Sequence, residues 1–315
     1  MSINESNFSF FQADGVQNVP PVNSPADSAE PATTPAQRQN VTQNEQARLT
    51  RADLDQLPYE LQAIRQHWER RGRKYGLSPS ASWVDETMLH HEGIVLSKYL
   101  NDNDRVLDAG CANGYTTIQL ARLKRIRITG IDYAQSMVDY ASMNLGRAGT
   151  TRGSISFRVD NFLHLDFPDN TFDKVITKRC MINLGSPENH KQALLEAWRV
   201  LKPGGLFLMS EVSTQASDNL NRLRETFGLE TMTPLWHNCY IDEDELLQFA
   251  RPYFELKKIK KFSSSYYVLT WVLYPFFRRN GNRNYRGWFH RFSTHVPQVG
   301  DWGLQKLYIL KKRAV

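Results

Sequence analysis

The feature that most constrains this chain lies between Arg105 and Glu211, where short apolar runs of strand length alternate with segments of helix length. Arg105 to Asp108, Ile126 to Asp132, Ser154 to Asp160, Phe172 to Thr177 and Gly205 to Glu211 read as strands. Tyr115 to Leu123, Ser136 to Leu145 and Asn189 to Leu201 read as helices. Strands joined through helices run parallel, and the crossovers cover both faces of the sheet. The expected fold class is therefore α/β, a doubly wound sheet that receives ligands at the carboxyl ends of its strands.

Three successive strand-like runs finish in an acid. Asp108 opens into Gly110-Cys111-Ala112-Asn113-Gly114, where glycines let the backbone turn sharply and the next helix presents its N-terminus. Asp132, at the second end, can accept hydrogen bonds from both hydroxyls of a ribose. Asp160, at the third, can accept from an adenine amine while the Asn161 N–H donates to the ring. The competing reading is that these acids only cap the helices that follow. The loop lacks the G-x-G-x-x-G spacing of a dinucleotide site and the Lys-Ser/Thr of a P-loop, so it is a poor phosphate cradle.

Leu107 to Gly114, the acids at Asp132 and Asp160, and Leu201-Lys202-Pro203-Gly204-Gly205 before the fifth strand together resemble class I S-adenosylmethionine-dependent methyltransferases, over roughly Asn101 to Glu211. Ala112 stands where the commonest form of the loop has a glycine. The resemblance implies a Rossmann-like seven-stranded sheet and S-adenosyl-L-methionine as cofactor. It places Asp108, Gly110, Cys111 and Gly114 by the methionine moiety, and Asp132 on the ribose with Tyr133 and Met137 in the same pocket. Asp160, Asn161 and Phe162 would hold the adenine, and Lys178 and Arg179 would line the methyl-donor end. Tyr253 to Phe262 and Leu304 to Leu310 resemble the sixth and seventh strands, one of them antiparallel. About 263 to 300 is then an insertion, expected to be a lid or substrate wall. Arg179 to Leu184, Trp236-His237-Asn238 and Gly300 to Lys306 are similar, less specifically, to bacterial sugar or small-molecule methyltransferases.

Residues 1 to 48 are rich in Ser, Asn, Gln, Pro and Ala and read as a disordered tail. From 49 to 101, Leu54, Leu57, Leu61, Ile64 and Trp68 recur at helical spacing and a second helix follows, which predicts a helical cap; 102 to 315 is the methyltransferase domain. Methyl transfer to a hydroxyl needs a base, for which His237 and Glu211 are the candidates, with His90 and His91 weaker. The Asn/Asp-Pro-Pro-Tyr/Phe sequence of methyltransferases that act on nucleobase amines is absent, so a nucleic-acid partner is not expected. The expected reaction is O-methylation of a small molecule or a glycan unit. The alternatives are methylation of an amine, on a metabolite or a protein, and a binding module without turnover.

Lys and Arg number 39 against 33 Asp and Glu, but 251 to 315 alone holds fourteen of the bases and two acids. That basic region can be a solvated face or attract phosphates and anionic lipid. The apolar run Tyr266 to Phe277 is too short to span a bilayer; it reads as a buried lid helix, as the lining of an acceptor pocket or as a site of peripheral membrane contact. Three widely separated cysteines give no disulfide or metal spacing, and no metal is expected. With no secretory signal pattern at its start, the chain is expected in the cytoplasm.

Overall fold

The computed structural model describes residues 57–277 and 287–314; the tail expected at 1 to 48 lies outside them. All described residues belong to one compact unit. Seven strands, β1 Arg105–Ala109, β2 Arg127–Asp132, β3 Ser154–Val159, β4 Phe172–Lys178, β5 Leu201–Val212, β6 Phe254–Lys260 and β7 Gln305–Lys312, form one sheet in the order β3-β2-β1-β4-β5-β7-β6. β1 pairs in parallel with both β2 and β4, so the strand order reverses there and a crevice opens at its carboxyl end. β7 runs antiparallel to β5 and to β6, and is the single reversed member of the sheet. This is the Rossmann-like doubly wound architecture.

Alternation along the strands sends successive side chains to opposite layers. Leu107, Val175, Phe207 and Met209 face helices α1 Tyr59–Tyr75, α5 Pro187–Val200 and α7 Glu243–Ala250 through Leu61, Ile64, Ala193, Ala197 and Leu246. Val106, Ile128, Ile176 and Leu208 face α2 Glu86–Ser97, α3 Tyr115–Leu123 and α6 Thr214–Thr226 through Val95, Leu96, Leu120 and Leu220. Helix α4 Gln135–Arg147 follows β2, and α1 crosses it.

One local expectation shifts. The fifth strand is expected from Gly205, yet β5 begins at Leu201, which pairs with Phe172, before the register slips to Leu206 opposite Lys174. The slip is a bulge inside the strand, and Gly204 supplies its left-handed residue at φ 76°.

The insertion between β6 and β7 contains α8 Ser264–Tyr267, a π turn Val268–Leu273, a 3-10 turn Tyr274–Phe277 and α9 Trp288–Ser293. The run read as one buried helix is two things. Tyr266, Tyr267, Trp271 and Val272 are buried in the second core layer, and the Tyr266 hydroxyl donates to Asp85, the residue that caps α2, at 2.7 Å. Phe276 and Phe277 emerge from the surface.

The return of the insertion is fastened by a buried charge. Lys306, almost fully enclosed, donates to Glu243 at 2.8 Å and pairs with Asp301 at 3.0 Å. Without Lys306, Glu243 keeps the Ser213 hydroxyl and Asp301 keeps Lys261 at 3.1 Å, so the loss is that of charge-assisted hydrogen bonds. Lys306→Met is expected to cost about 1.5–3 kcal/mol, read as a lowered urea midpoint with an unchanged slope.

Candidate functional site

The loop after β1 is the base of the site. Three of its residues take left-handed backbone: Gly110 at φ 73°, Ala112 at 49° and Gly114 at 76°. A Cβ on Gly110 would sit 2.7 Å from the Cβ and Sγ of Cys180, so the residue must be glycine for the ends of β1 and β4 to meet. The N–H groups of Gly110 and Cys111 both donate to the Ile131 carbonyl at 2.9 Å.

Asp108 and Asp132 lie at this loop, Asp160 follows β3, and the three are in different states. Asp108 is fully buried; it accepts from the Thr117 hydroxyl at 2.6 Å and pairs with the buried ammonium of Lys178. Asp132 accepts from the Ala112 N–H and the Ala134 N–H, each at 3.0 Å, and burial pushes its carboxyl up to about 6. Asp160 accepts from the Asn161 N–H at 2.9 Å and from Arg158, with burial again pushing its carboxyl upward. Beside them, Tyr133 has a buried hydroxyl with no hydrogen-bond partner among the described residues, and burial drives it far above its ordinary value. Met137 packs with Ala81, Ala112 and Ala134. Phe162 is buried in the first core layer, its ring 6.4 Å from that of Phe207, edge to face. Of the Asn161 amide, the oxygen accepts from the Leu163 N–H and the nitrogen is buried without a partner.

Helix α1 is wired to the strand ends by polar groups. Glu69 accepts from the N–H groups of Gln135 at 2.6 Å and Ser136 at 3.2 Å, capping α4, whose own N-cap residue Ala134 has no side chain to do so. Arg65 donates to the Tyr133 carbonyl at 3.1 Å, and the Asn113 amide donates to the carbonyls of Gly76 and Ser78 at 2.9 and 2.7 Å.

On the acceptor side, His237 does not stand free. Its ring stacks on that of His67 with centroids 4.4 Å apart, and Nδ1 lies 2.9 Å from Asn183 Oδ1. Because the Asn183 Nδ2 donates to the Arg179 carbonyl, Oδ1 is fixed as acceptor and the His237 proton sits on Nδ1. Burial pulls the imidazole down to about 3, so it is neutral at physiological pH. Glu211 is fully buried at the end of β5; Oε1 accepts from the N–H groups of Cys180 and Met181 at 3.0 and 3.1 Å, and the Thr177 hydroxyl lies beside the carboxyl. Burial pushes this carboxyl up to about 7. Arg179, at φ 54°, bonds Glu92 and lies over the Trp83 ring at 4.5 Å. His90 and His91 are elsewhere, against Gln119 and Phe262.

Residues 100–258 match the profile of a family described as a methyltransferase domain. The chain belongs to the class I S-adenosylmethionine-dependent methyltransferases. An uncharacterised methyltransferase of Schizosaccharomyces pombe is 34% identical over 119 residues, 36% of this chain and 42% of that protein. A sterol 24-C-methyltransferase of Neurospora crassa is 30% identical over 145 residues, 46% of this chain and 37% of that protein. A demethylmenaquinone methyltransferase of Deinococcus radiodurans is 35% identical over 114 residues, 36% of this chain and 45% of that protein. The chain thus spans less than half the length of these curated relatives. Among solved structures, phosphoethanolamine N-methyltransferase 1 of Haemonchus contortus superposes with a TM-score of 0.53 at 18% identity, over 81% of this chain and 49% of that one.

The residues present are compatible with the cofactor of this methyltransferase family. Each Asp132 oxygen accepts one backbone bond and keeps a lone pair, two in all for two vicinal hydroxyls. The orphaned Tyr133 hydroxyl and Asn161 amide nitrogen are buried polar groups of the kind that a polar ligand satisfies. Asp160 fits less well, since Arg158 already engages one of its oxygens. Glu69, Asn183, His67 and Trp68 escape a sequence reading, because what brings them in is contact between α1 and distant segments; only Asn113, inside the glycine loop, carried a local cue.

Two expectations test this geometry. Ala112→Val forces a β-branched residue into left-handed backbone at a buried position and should cost roughly 2–4 kcal/mol in urea unfolding. Glu211 is raised when folded, so its contribution to stability is present below its unfolded value of 4.5 and is lost as pH rises through about 7. Glu211→Gln lacks that loss and keeps the acceptor for Cys180 and Met181. Its melting temperature relative to the parent protein should therefore climb between pH 4.5 and 7, and a flat difference would contradict the assignment.

Proposed function

We propose that this chain transfers a methyl group from S-adenosylmethionine to an oxygen of a small molecule or sugar unit, by in-line displacement. The observation that carries the reading is Asp132, bonded to the glycine loop through the Ala112 N–H, beside the buried Asp108 at the strand-order reversal. When bound, the cofactor supplies an electrophilic methyl carbon on a positively charged sulfur. Asp132 would hold the ribose, Asp108 and Lys178 would meet the amino and carboxylate groups of the methionine end, and the backbone at Asn161 would meet the adenine.

Glu211 supports an oxygen acceptor. Its carboxyl titrates near neutral pH, where a general base works best. In this role Glu211 would take the proton of the acceptor hydroxyl and leave that oxygen's electron pair free for the methyl carbon that the cofactor supplies. His237, neutral and fastened to His67 and Asn183, would instead position the wall of the acceptor space. The names of the relatives, which include sterol, demethylmenaquinone and O-methyltransferase activities, support a small-molecule acceptor.

Titration calorimetry with S-adenosylhomocysteine should show one site per chain, weakened at least about tenfold in Asp132→Ala, the loss of two hydrogen bonds. Absence of binding by the parent protein would overturn the cofactor reading. Once an acceptor is found, Glu211→Gln should lower kcat by roughly 10²–10⁴ for a hydroxyl; an unchanged rate would point to an amine.

A further inference from the structure

The turn that follows β4 keeps its shape through one side chain. Arg179 has left-handed backbone at φ 54°, which a residue other than glycine holds only where its surroundings enforce it. Asn183, buried at the end of the 3-10 turn Met181–Asn183, enforces it by donating from Nδ2 to the Arg179 carbonyl at 2.8 Å. In the same planar peptide group, the Cys180 N–H points the opposite way and donates to Glu211 Oε1 at 3.0 Å. One rigid plane is thus gripped at its oxygen by Asn183 and presents its hydrogen to Glu211, and it cannot rotate without losing a bond at each end.

We propose that Asn183 is a positioning residue of the methyl-transfer site, which sets the Glu211 carboxylate through the Arg179–Cys180 peptide and the His237 ring through its own amide oxygen. The inference rests on the reading of Glu211 as the group that takes the acceptor proton. The two ends of the amide have separate tasks. Nδ2 holds the peptide, while Oδ1 receives the Trp68 indole N–H at 3.2 Å and lies 2.9 Å from His237 Nδ1. The proton of the neutral ring is thereby kept on Nδ1, and Nε2 carries the lone pair. A bond from the Cys239 N–H to the Ile182 carbonyl at 2.7 Å ties the segment bearing His237 to the same turn. Only a side chain with a donor and an acceptor side by side serves both ends; a carboxylate lacks the donor and an alkyl group lacks both.

The groups around the two targets allow this to be read out. Cys180, Arg179 and the Thr177 hydroxyl face Glu211 from β4 and its end, and Arg179 is itself paired with Glu92 of α2. Lys306, opposite Glu211 in the register of β5 with β7, is engaged by Glu243 and Asp301. His67 and Arg71 of α1 face His237. The Asn183 amide carries no charge, so a neutral replacement alters the Glu211 carboxyl through the lost N–H donor and not through a new field.

The experiment is a carbon-13 NMR titration of the Glu211 carboxyl, assigned by its loss in Glu211→Gln, together with nitrogen-15 spectra of the histidines, on the full chain without cofactor or acceptor. In the parent protein His237 should carry its proton on Nδ1 alone. Asn183→Ala should raise the Glu211 titration by about one pH unit, since a carboxylate that loses an N–H donor holds its proton more firmly, and should let His237 populate both tautomers. Asn183→Ser returns a hydroxyl donor to the carbonyl four residues back, so Glu211 should titrate near the parent value while His237 stays mixed. Circular dichroism checks folding; if Asn183→Ala does not fold, Asn183→Leu removes the same bonds without opening a cavity. A role in packing alone would lower the urea midpoints and leave titration and tautomer unchanged. That result overturns the proposal, and so does a parent ring protonated on Nε2. Turnover of Glu211→Gln tests the base separately: an unchanged rate there removes the base reading while the shifts caused by the Asn183 variants still stand.

Discussion

The site depends on a single buried carboxylate. Asp132 ends β2 and receives two backbone N–H groups, from Ala112 in the loop after β1 and from Ala134 at the start of α4. Those bonds fasten the left-handed loop to the neighbouring strand and set where α4 begins. Enclosing the charge has a cost, visible in a carboxyl raised to about 6, which the two donors partly offset. With Asp132 in place, the Ile131 carbonyl is positioned to accept from Gly110 and Cys111, and the loop has no freedom left to close over its own crevice.

From that anchor a second tier of polar contacts builds the cover of the crevice. Glu69 satisfies the open N-terminus of α4 from another helix, so α1 is placed by hydrogen bonding as well as by Leu61 and Ile64 in the core. Trp68 and His237 converge on one oxygen of Asn183, and Glu211 braces the turn that carries Cys180 and Met181. Around these braces sit buried polar atoms without partners among the described residues, the Tyr133 hydroxyl and the Asn161 amide nitrogen. Satisfied supports next to unsatisfied atoms are the arrangement expected where a polar ligand completes the hydrogen bonding.

Much of this was legible in the order of residues. Strand period, helix period and the acids at three strand ends are local properties, so Asp108, Asp132 and Asp160 could be placed before any contact was known. The start of β5 was less legible, because Pro203-Gly204-Gly205 signals a turn and only pairing of Leu201 with Phe172 converts it into a bulge. Phe162 was read as part of an adenine wall, while the structure puts it against Phe207; a backbone pattern does not say to which side a ring packs. The aromatic run of the insertion likewise divided into a buried base and an exposed tip, which depends on where the sheet ends beneath it.

The sequence by itself determined the parallel sheet, the glycine loop and the acids at its rim, because each follows from periodicity or from backbone conformations open to few residues. Tertiary structure alone decided the protonation and partners of those acids, the capping of α4 by Glu69, and the tautomer of His237. The cap and the tautomer depend on groups 54 to 67 residues apart being brought into contact, and the state of the acids depends on their being taken out of water. Burial and hydrogen bonding set a titration value or a proton position, and neither exists until the chain has packed.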